Sequence, residues 1–138
     1  MAVRNGGSKK PANPTENRNM HNKNLGKEGE RKARWYLRLH GWKIIEKNFK
    51  NPFGEIDIIA KKKDVLAFIE VKTRLTDIFG TPSQAVTKQR QQRYIMGAKY
   101  YFANREADCT VRFDVIEIFR GQINHIENAF RDSSRYAN

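Results

Sequence analysis

The hydrophobic and polar positions of this chain fall into two apolar runs on either side of a charged turn. Residues 54–60 (Gly-Glu-Ile-Asp-Ile-Ile-Ala) and 65–72 (Val-Leu-Ala-Phe-Ile-Glu-Val-Lys) flank a polar segment at 61–64, which predicts an antiparallel hairpin. Strand side chains alternate between faces. The period of two puts Ile56, Ile58 and Ala60 on one face, and Glu55, Asp57 and Ile59 on the other. In the second strand Val65, Ala67, Ile69 and Val71 share a face, opposite Leu66, Phe68, Glu70 and Lys72. One hairpin face reads as pure core. The other is apolar near the turn and ionic at its open end, where an even-numbered turn brings Asp57 and Glu70 together within roughly 4.5–8 Å.

The same patterning places the other elements. Asn24 is a capping residue for a helix over 25–40, and Gly41 is its stop. Gly26, Glu30, Ala33, Leu37 and His40 fall on one stripe of that helix, with Gly29 and Tyr36 beside it, and mark its packed side. Residues 42–49 read as a strand and 50–54 as the turn into the hairpin. A loop over 75–80 leads to Thr81 as N-cap and Pro82 as first residue of a second helix, which runs to about Phe102. Its packed side is read as Ala85, Gln89, Gln92, Met96 and Tyr100, with Ile95 and Phe102. A strand over 109–119 and an edge strand over 122–126 follow, then a polar tail from about 131 to 138. Helix, three strands, helix and one or two strands make an α/β sandwich on a mixed central sheet flanked by helices.

Composition narrows the class of partner. The 138 residues suffice for one domain with one core. Lys and Arg number 27 against 15 Asp and Glu, a net charge of +12, which points to a polyanion and most simply to nucleic acid. No run approaches the ~20 apolar residues of a membrane span, and the N-terminus lacks the apolar core of a signal peptide. A cytoplasmic protein is expected, with no membrane partner. Cys109 is the only cysteine, which excludes an intrachain disulfide. The three histidines show no Cys/His spacing for zinc. His40 suits a helix C-terminus, and His125 reads as a surface strand residue. Residues 1–24 have no Leu, Ile, Phe, Trp or Tyr but six Asn and five Lys or Arg, so a disordered basic tail is expected there and a folded domain over 25–130.

The ionic end of the hairpin carries the chemistry. Carboxylates facing one another across strands destabilise a sheet and raise one another's pKa. A divalent cation between Asp57 and Glu70 removes that penalty, because Mg²⁺ takes one or two carboxylates plus water and phosphate oxygens. Lys72 projects from the same face as Glu70. Glu30 is either a border residue paired with Arg34 or, beside an acidic hairpin end, a further ligand or water-positioning acid. Lys88, Arg90 and Arg93 give the second helix a basic start, read either as a solvated face or as phosphate contacts. Asp114 and Glu117 are read as structural or exposed, not as ligands.

Asp57, twelve residues and Glu70-x-Lys72 match the PD-(D/E)xK pattern of restriction-endonuclease-like nucleases. With Gly26-Lys-Glu-Gly-Glu30 at the start of the first helix, Phe68-Ile-Glu-Val-Lys-Thr-Arg74, Arg112-Phe-Asp-Val-Ile-Glu-Ile118 and Asn124-His-Ile-Glu-Asn-Ala-Phe130, the chain resembles the YraN-type bacterial family over about residues 24–130. It is similar in layout to archaeal Holliday-junction resolvases. The resemblance implies a restriction-endonuclease-like fold with Asp57 and Glu70 holding Mg²⁺, or Mn²⁺ in its place, assisted by the backbone carbonyl of Val71. It implies Glu30 as the helix acid and Lys72 as the group that orients or activates water. Where the family carries Arg-Asn-x-Arg, this chain has Lys47-Asn-Phe-Lys50, which keeps charge and loses bidentate phosphate geometry. The expected activity is metal-dependent hydrolysis of DNA, more readily than RNA, with branched or junction DNA among the candidate substrates. The alternatives are a non-catalytic nucleic-acid-binding protein on the same fold, or a structural salt-bridged cluster in an interaction partner. Resolvase-like relatives tend to pair, so a homodimer is also an expectation.

Overall fold

The computed structural model describes residues 14–75, 86–106 and 108–133, apart from the side chains of 15–19, 21 and 22. Its elements are α1 (Pro14–Leu39), β1 (Lys43–Asn51), β2 (Gly54–Lys62), β3 (Val65–Arg74), α2 (Lys88–Phe102), β4 (Thr110–Phe119) and β5 (Gln122–Phe130). The five strands form one sheet in chain order. β1–β2, β2–β3 and β4–β5 are antiparallel, whereas β3–β4 is parallel and spanned by α2. The result is the expected α/β sandwich, a mixed sheet with a helix on each side and a layout consistent with restriction endonucleases. No helix among the described residues is long and apolar enough to cross a membrane.

α1 starts earlier than the sequence pattern indicates. It begins at Pro14, whose fixed φ suits a first helical turn, so Asn24 lies inside the helix and not at its cap. The first turns bury nothing that is described: Met20, Lys23 and Asn24 are exposed. Absence of apolar residues predicts absence of packing, and helix can persist without it. The remainder of the expected tail, 1–13, lies outside the described residues. At the other end Gly41 takes φ +87°, and the bonds Trp42 N to Leu37 O (2.9 Å) and Gly41 N to Arg38 O (3.2 Å) close the helix in the Schellman manner. His40 Nδ1 lies 2.8 Å from Tyr36 O, at the end where it was expected to help.

α2 starts later than expected. Thr87, not Thr81, is its N-cap, with Oγ1 accepting from Arg90 N at 3.2 Å. Val86 and Thr87 precede the helix, and residues 81–85 lie outside the described part of the chain. The packed stripe is Tyr94, Ile95, Gly97, Ala98 and Tyr101. Gln89, Gln92 and Tyr100 of the predicted stripe are exposed and Met96 is half-buried. Apolar residues from 94 to 102 occur on every side of this helix, so periodicity alone chooses poorly between neighbouring stripes. β5 runs on to Phe130, four residues past its predicted end.

Each sheet face carries its own core. On the α1 side Ala33, Leu37 and Trp42 pack on Ile58, Ala60, Ala67, Ile69, Ile116 and Ile118. On the α2 side Tyr94, Ile95, Ala98 and Tyr101 pack on Ile59, Leu66, Phe68, Phe113 and Val115. Both hairpin faces are therefore buried, where the sequence pattern assigned one to the core. Ile56 also departs from the pattern: it packs with Ile59 on the α2 side while Ile58 and Ala60 face α1. Strict alternation is broken between Ile56 and Ile58, at Asp57.

A second buried charge cluster ties β4 to β5. Asp114 is fully buried and accepts from Arg112 Nε (2.8 Å) and Nη2 (2.9 Å), His125 Nε2 (2.7 Å) and Asn128 N (2.9 Å). Burial alone would raise its pKa, but bonds from His125, Arg112 and Asn128 outweigh it and hold the carboxyl below its ordinary value. The His125 side chain is only 5% exposed, so it belongs to this cluster and not to the surface where the sequence put it. Asp114 is structural, as expected.

Candidate active site at the fork of the hairpin

The site arises where two strands part. β2–β3 pairing runs from Lys62↔Val65 to Ile58↔Ile69 and then stops. Asp57 and Glu70 are the next residues on each strand, and continuing that register would set them opposite each other. β1–β2 pairing continues past the same point to Phe49↔Ile56 and beyond, so β2 follows β1 away from β3. Asn48, the residue of β1 facing Asp57 in that register, has φ +51°, a left-handed conformation Asn tolerates better than most side chains. That local bend, opposite Asp57, accompanies the broken alternation.

A fork frees backbone N–H groups that a continuous ladder would satisfy. Side chains take over here. The Val71 amide donates to Asp57 Oδ2 at 2.8 Å, and the Asp57 amide donates to Tyr94 Oη at 3.2 Å. Tyr94 Oη in turn donates to Glu70 Oε2. Arg90 reaches Glu70 with Nε to Oε1 at 2.6 Å and Nη2 to Oε2 at 3.3 Å. Glu70 and Tyr94 are almost wholly buried, while the Arg90 side chain is 45% exposed and closes the site from the solvent side.

The electrostatics follow from this crowding. Burial, and then the charge of Glu70, push the Asp57 pKa up to about 8, against the opposing bond from Val71 N. The neighbouring Glu70 carboxylate thus favours a protonated Asp57 when no cation lies beside it. Glu30 is raised by partial burial, then by Glu55 and Glu70, with Arg34 and Asn48 pulling the other way. With its amide turned to donate, Asn48 bridges Glu30 Oε2 (3.0 Å) and Glu55 Oε1 (2.9 Å). For Arg90, burial opposes the charge but the bond to Glu70 prevails and raises its pKa. Tyr94 is raised well above its ordinary value by burial and by both carboxylates, and so stays a donor.

The structure thus brings Asp57, Glu70, Val71 and Glu30 into one electrostatic neighbourhood. Val71 enters through its amide. Lys72 is half-buried two residues past Glu70 and makes no ion pair among the described residues. Lys88 and Arg93 are exposed on the first turns of α2, with Arg93 Cδ 3.9 Å from the Cβ position of Gly54. Arg90, expected on phosphate, sits on Glu70. Three contributors were not read from the sequence: Tyr94, Asn48 and Glu55 as a neighbour of Glu30. The spacing of Arg90 and Tyr94, four apart on one helix, was the available signal. Among the described residues no group of three or more His, Cys, Asp or Glu is disposed to hold a metal unaided.

Comparison with known proteins places these residues in one family. The model of "Uncharacterised protein family UPF0102" matches residues 29–118, a span that holds Glu30, Asp57, Glu70, Lys72, Arg90 and Tyr94. A UPF0102 protein of Thermodesulfovibrio yellowstonii is 53% identical over 106 residues, 77% of this chain and 95% of the relative. Those of Geobacter metallireducens and Clostridioides difficile are 46% and 45% identical, each over 80% of this chain and over 95% and 100% of their own lengths.

Proposed function

For a chain that belongs to the uncharacterised protein family UPF0102, a name that assigns no reaction, we propose metal-dependent endonucleolytic hydrolysis of phosphodiester bonds in DNA. One observation carries the reading: a protein of net charge +12 buries two carboxylates against each other at a strand fork. That pairing costs the fold stability, and a bound cation offsets the cost.

The donor set fits a hard divalent ion. Asp57 and Glu70 supply two carboxylates, and Mg²⁺ characteristically keeps several waters and completes its shell with substrate phosphate oxygens. Asp57 and Glu70, with the Val71 carbonyl assisting, would hold Mg²⁺ or Mn²⁺, which would supply a water of lowered pKa and polarisation of the phosphoryl oxygen. The protein's own groups do the rest. Tyr94 fixes the Glu70 carboxylate, and the Val71 amide fixes Asp57. Lys72 stabilises charge growing on the phosphate or holds the attacking water. Glu30, with its raised pKa, holds water at the site's α1 side. Lys88 and Arg93 take the flanking phosphates, and Arg90, whose side chain is 45% exposed on Glu70, lies on the same turns of α2.

The test is incubation of the full chain with labelled linear, branched and single-stranded DNA, with Mg²⁺, with Mn²⁺ and with EDTA. Cleavage should need the metal and vanish in Glu70→Gln and Lys72→Ala. Cleavage that survives either variant removes the assignment. A second reading has its own observation: Arg90 already neutralises Glu70. In a non-catalytic DNA-binding protein that ion pair would be the end state, and binding would be indifferent to metal and to Asp57→Asn.

A further inference from the structure

The first turns of α1 that carry described side chains form one wall of a cleft that the site residues do not explain. Lys27, Arg31 and Arg34 recur at i, i+4 and i+7, so they line one ridge of the helix. Across from them stand Lys47 and Asn48 of β1, and the cleft between has a volume of about 470 Å³. Glu30 lies on its lining and feels the charges of Glu55 and Glu70, and Asn48, also on the lining, stands opposite Asp57 in the β1–β2 register, so the cleft borders the fork. Its cations outnumber its acids. Glu28 is engaged by Lys32 at 3.4 Å, and Glu30 accepts from Asn48. Lys27, Arg31 and Lys47 are exposed and have no ion pair among the described residues, while Arg34 leans on Glu30.

Free cations on a charged protein are ordinarily a solvated face. Here they face each other across a concave surface that leads to two buried carboxylates, where self-repulsion of the cations has no structural return. We propose that the α1–β1 cleft binds the sugar–phosphate backbone of nucleic acid and guides it to the fork. From Lys27 to Arg34 the helix ridge rises about 10 Å, enough for about three phosphates of one strand at 3.4 Å of axial rise each. α1 and α2 cover opposite faces of the sheet, so this cleft and the Lys88–Arg93 turns of α2 grip the strand on both sides of the fork. The cleft deepens the nuclease reading by naming where its substrate lies, and it rests on that reading for the strand's destination but not for the binding itself.

The experiment reads binding without cleavage. Fluorescence anisotropy of a labelled DNA duplex is measured in EDTA over a range of salt concentrations, for the full chain and for Lys27→Ala, Arg31→Ala and Lys47→Ala. Each phosphate contact contributes about 0.9 to the slope of log K against log salt. Each variant should therefore lose about one unit of slope and, with affinities matched at 1 M salt, bind about eightfold more weakly than the parent at about 0.1 M. Lys61→Ala, at the turn end of the hairpin, serves as control and should leave the slope as it is. All three changes lie on exposed side chains, and circular dichroism checks that the fold is kept. Slopes equal to the parent's in the three variants, or an equal drop in Lys61→Ala, overturn the cleft. A parent that cleaves DNA while its variants keep their slope removes the cleft and leaves the nuclease. A parent that never cleaves, with slopes falling as described, supports the cleft and removes the nuclease.

Discussion

Asp57→Asn should change how stability depends on pH, and in a direction opposite to most carboxylate substitutions. Asp57 is 8% exposed, and burial and Glu70 lift its pKa from 3.8 to about 8. Between those values the folded protein holds a proton that the unfolded chain releases. The unfolded state then binds fewer protons, so stability falls as pH rises from about 4 to about 8 and levels off above. At about 1.4 kcal/mol per unit the loss has a ceiling on the order of 6 kcal/mol, and a fall of even about 2 kcal/mol is easily resolved. The amide introduced by the substitution keeps an oxygen for the Val71 N–H and carries no charge. Urea unfolding at pH 4, 6 and 8 in EDTA should show the variant close to the parent at pH 4 and more stable at pH 8. Because groups remote from the fork titrate equally in both proteins, the difference between the two curves isolates Asp57 and the neighbours it acts on. Parallel curves across this range would refute the claim that the fork traps a carboxyl without a counter-ion.

Three further substitutions test separate parts of the structure. Tyr94→Phe leaves the Asp57 amide without its 3.2 Å partner and leaves Glu70 Oε2 to the longer bond from Arg90 Nη2, and should cost about 1–3 kcal/mol in denaturant unfolding while retaining the fold. Gly29→Ala places a Cβ 2.2 Å from Thr73 Oγ1 and should destabilise by about 1–3 kcal/mol despite the better helix propensity of Ala; adding Thr73→Ala should recover most of that loss, and thermal unfolding of the four-protein cycle measures it. Asp114→Ala removes the acceptor of Arg112, His125 and Asn128 and should cost about 3–5 kcal/mol by urea unfolding, leaving metal response at the fork unchanged.

The hairpin was legible because two codes agree on it. Apolar alternation fixes faces as far as Ile58, and an even turn fixes register; Lys62↔Val65 and Ile59↔Phe68 follow directly. The α1 stripe was legible in part: Ala33 and Leu37, with Gly29 beside them, stand out among charged neighbours and are buried, whereas Gly26 and Glu30 are half-buried and His40 is exposed. α2 lacked that contrast, so its packed stripe was read correctly at Ile95 but missed Tyr94, Gly97, Ala98 and Tyr101. What closes the fork is tertiary: the bend at Asn48 comes from β1, and Tyr94 and Arg90 come from an element some twenty residues past Glu70. No local pattern encodes those meetings. His125 was misplaced likewise, because its bond to Asp114 depends on how β4 and β5 align, with the shift in register between Phe113 and Val115 included.

Everything proposed for the fork requires that it take up a divalent cation. Isothermal calorimetry of the full chain with Mn²⁺ at pH 8, beside Asp57→Asn and Glu70→Gln, measures this directly. We expect saturable binding in the parent, with proton release from Asp57, and its loss in both variants. Absence of binding in the parent, or equal binding in all three proteins, contradicts a metal site between these two carboxylates.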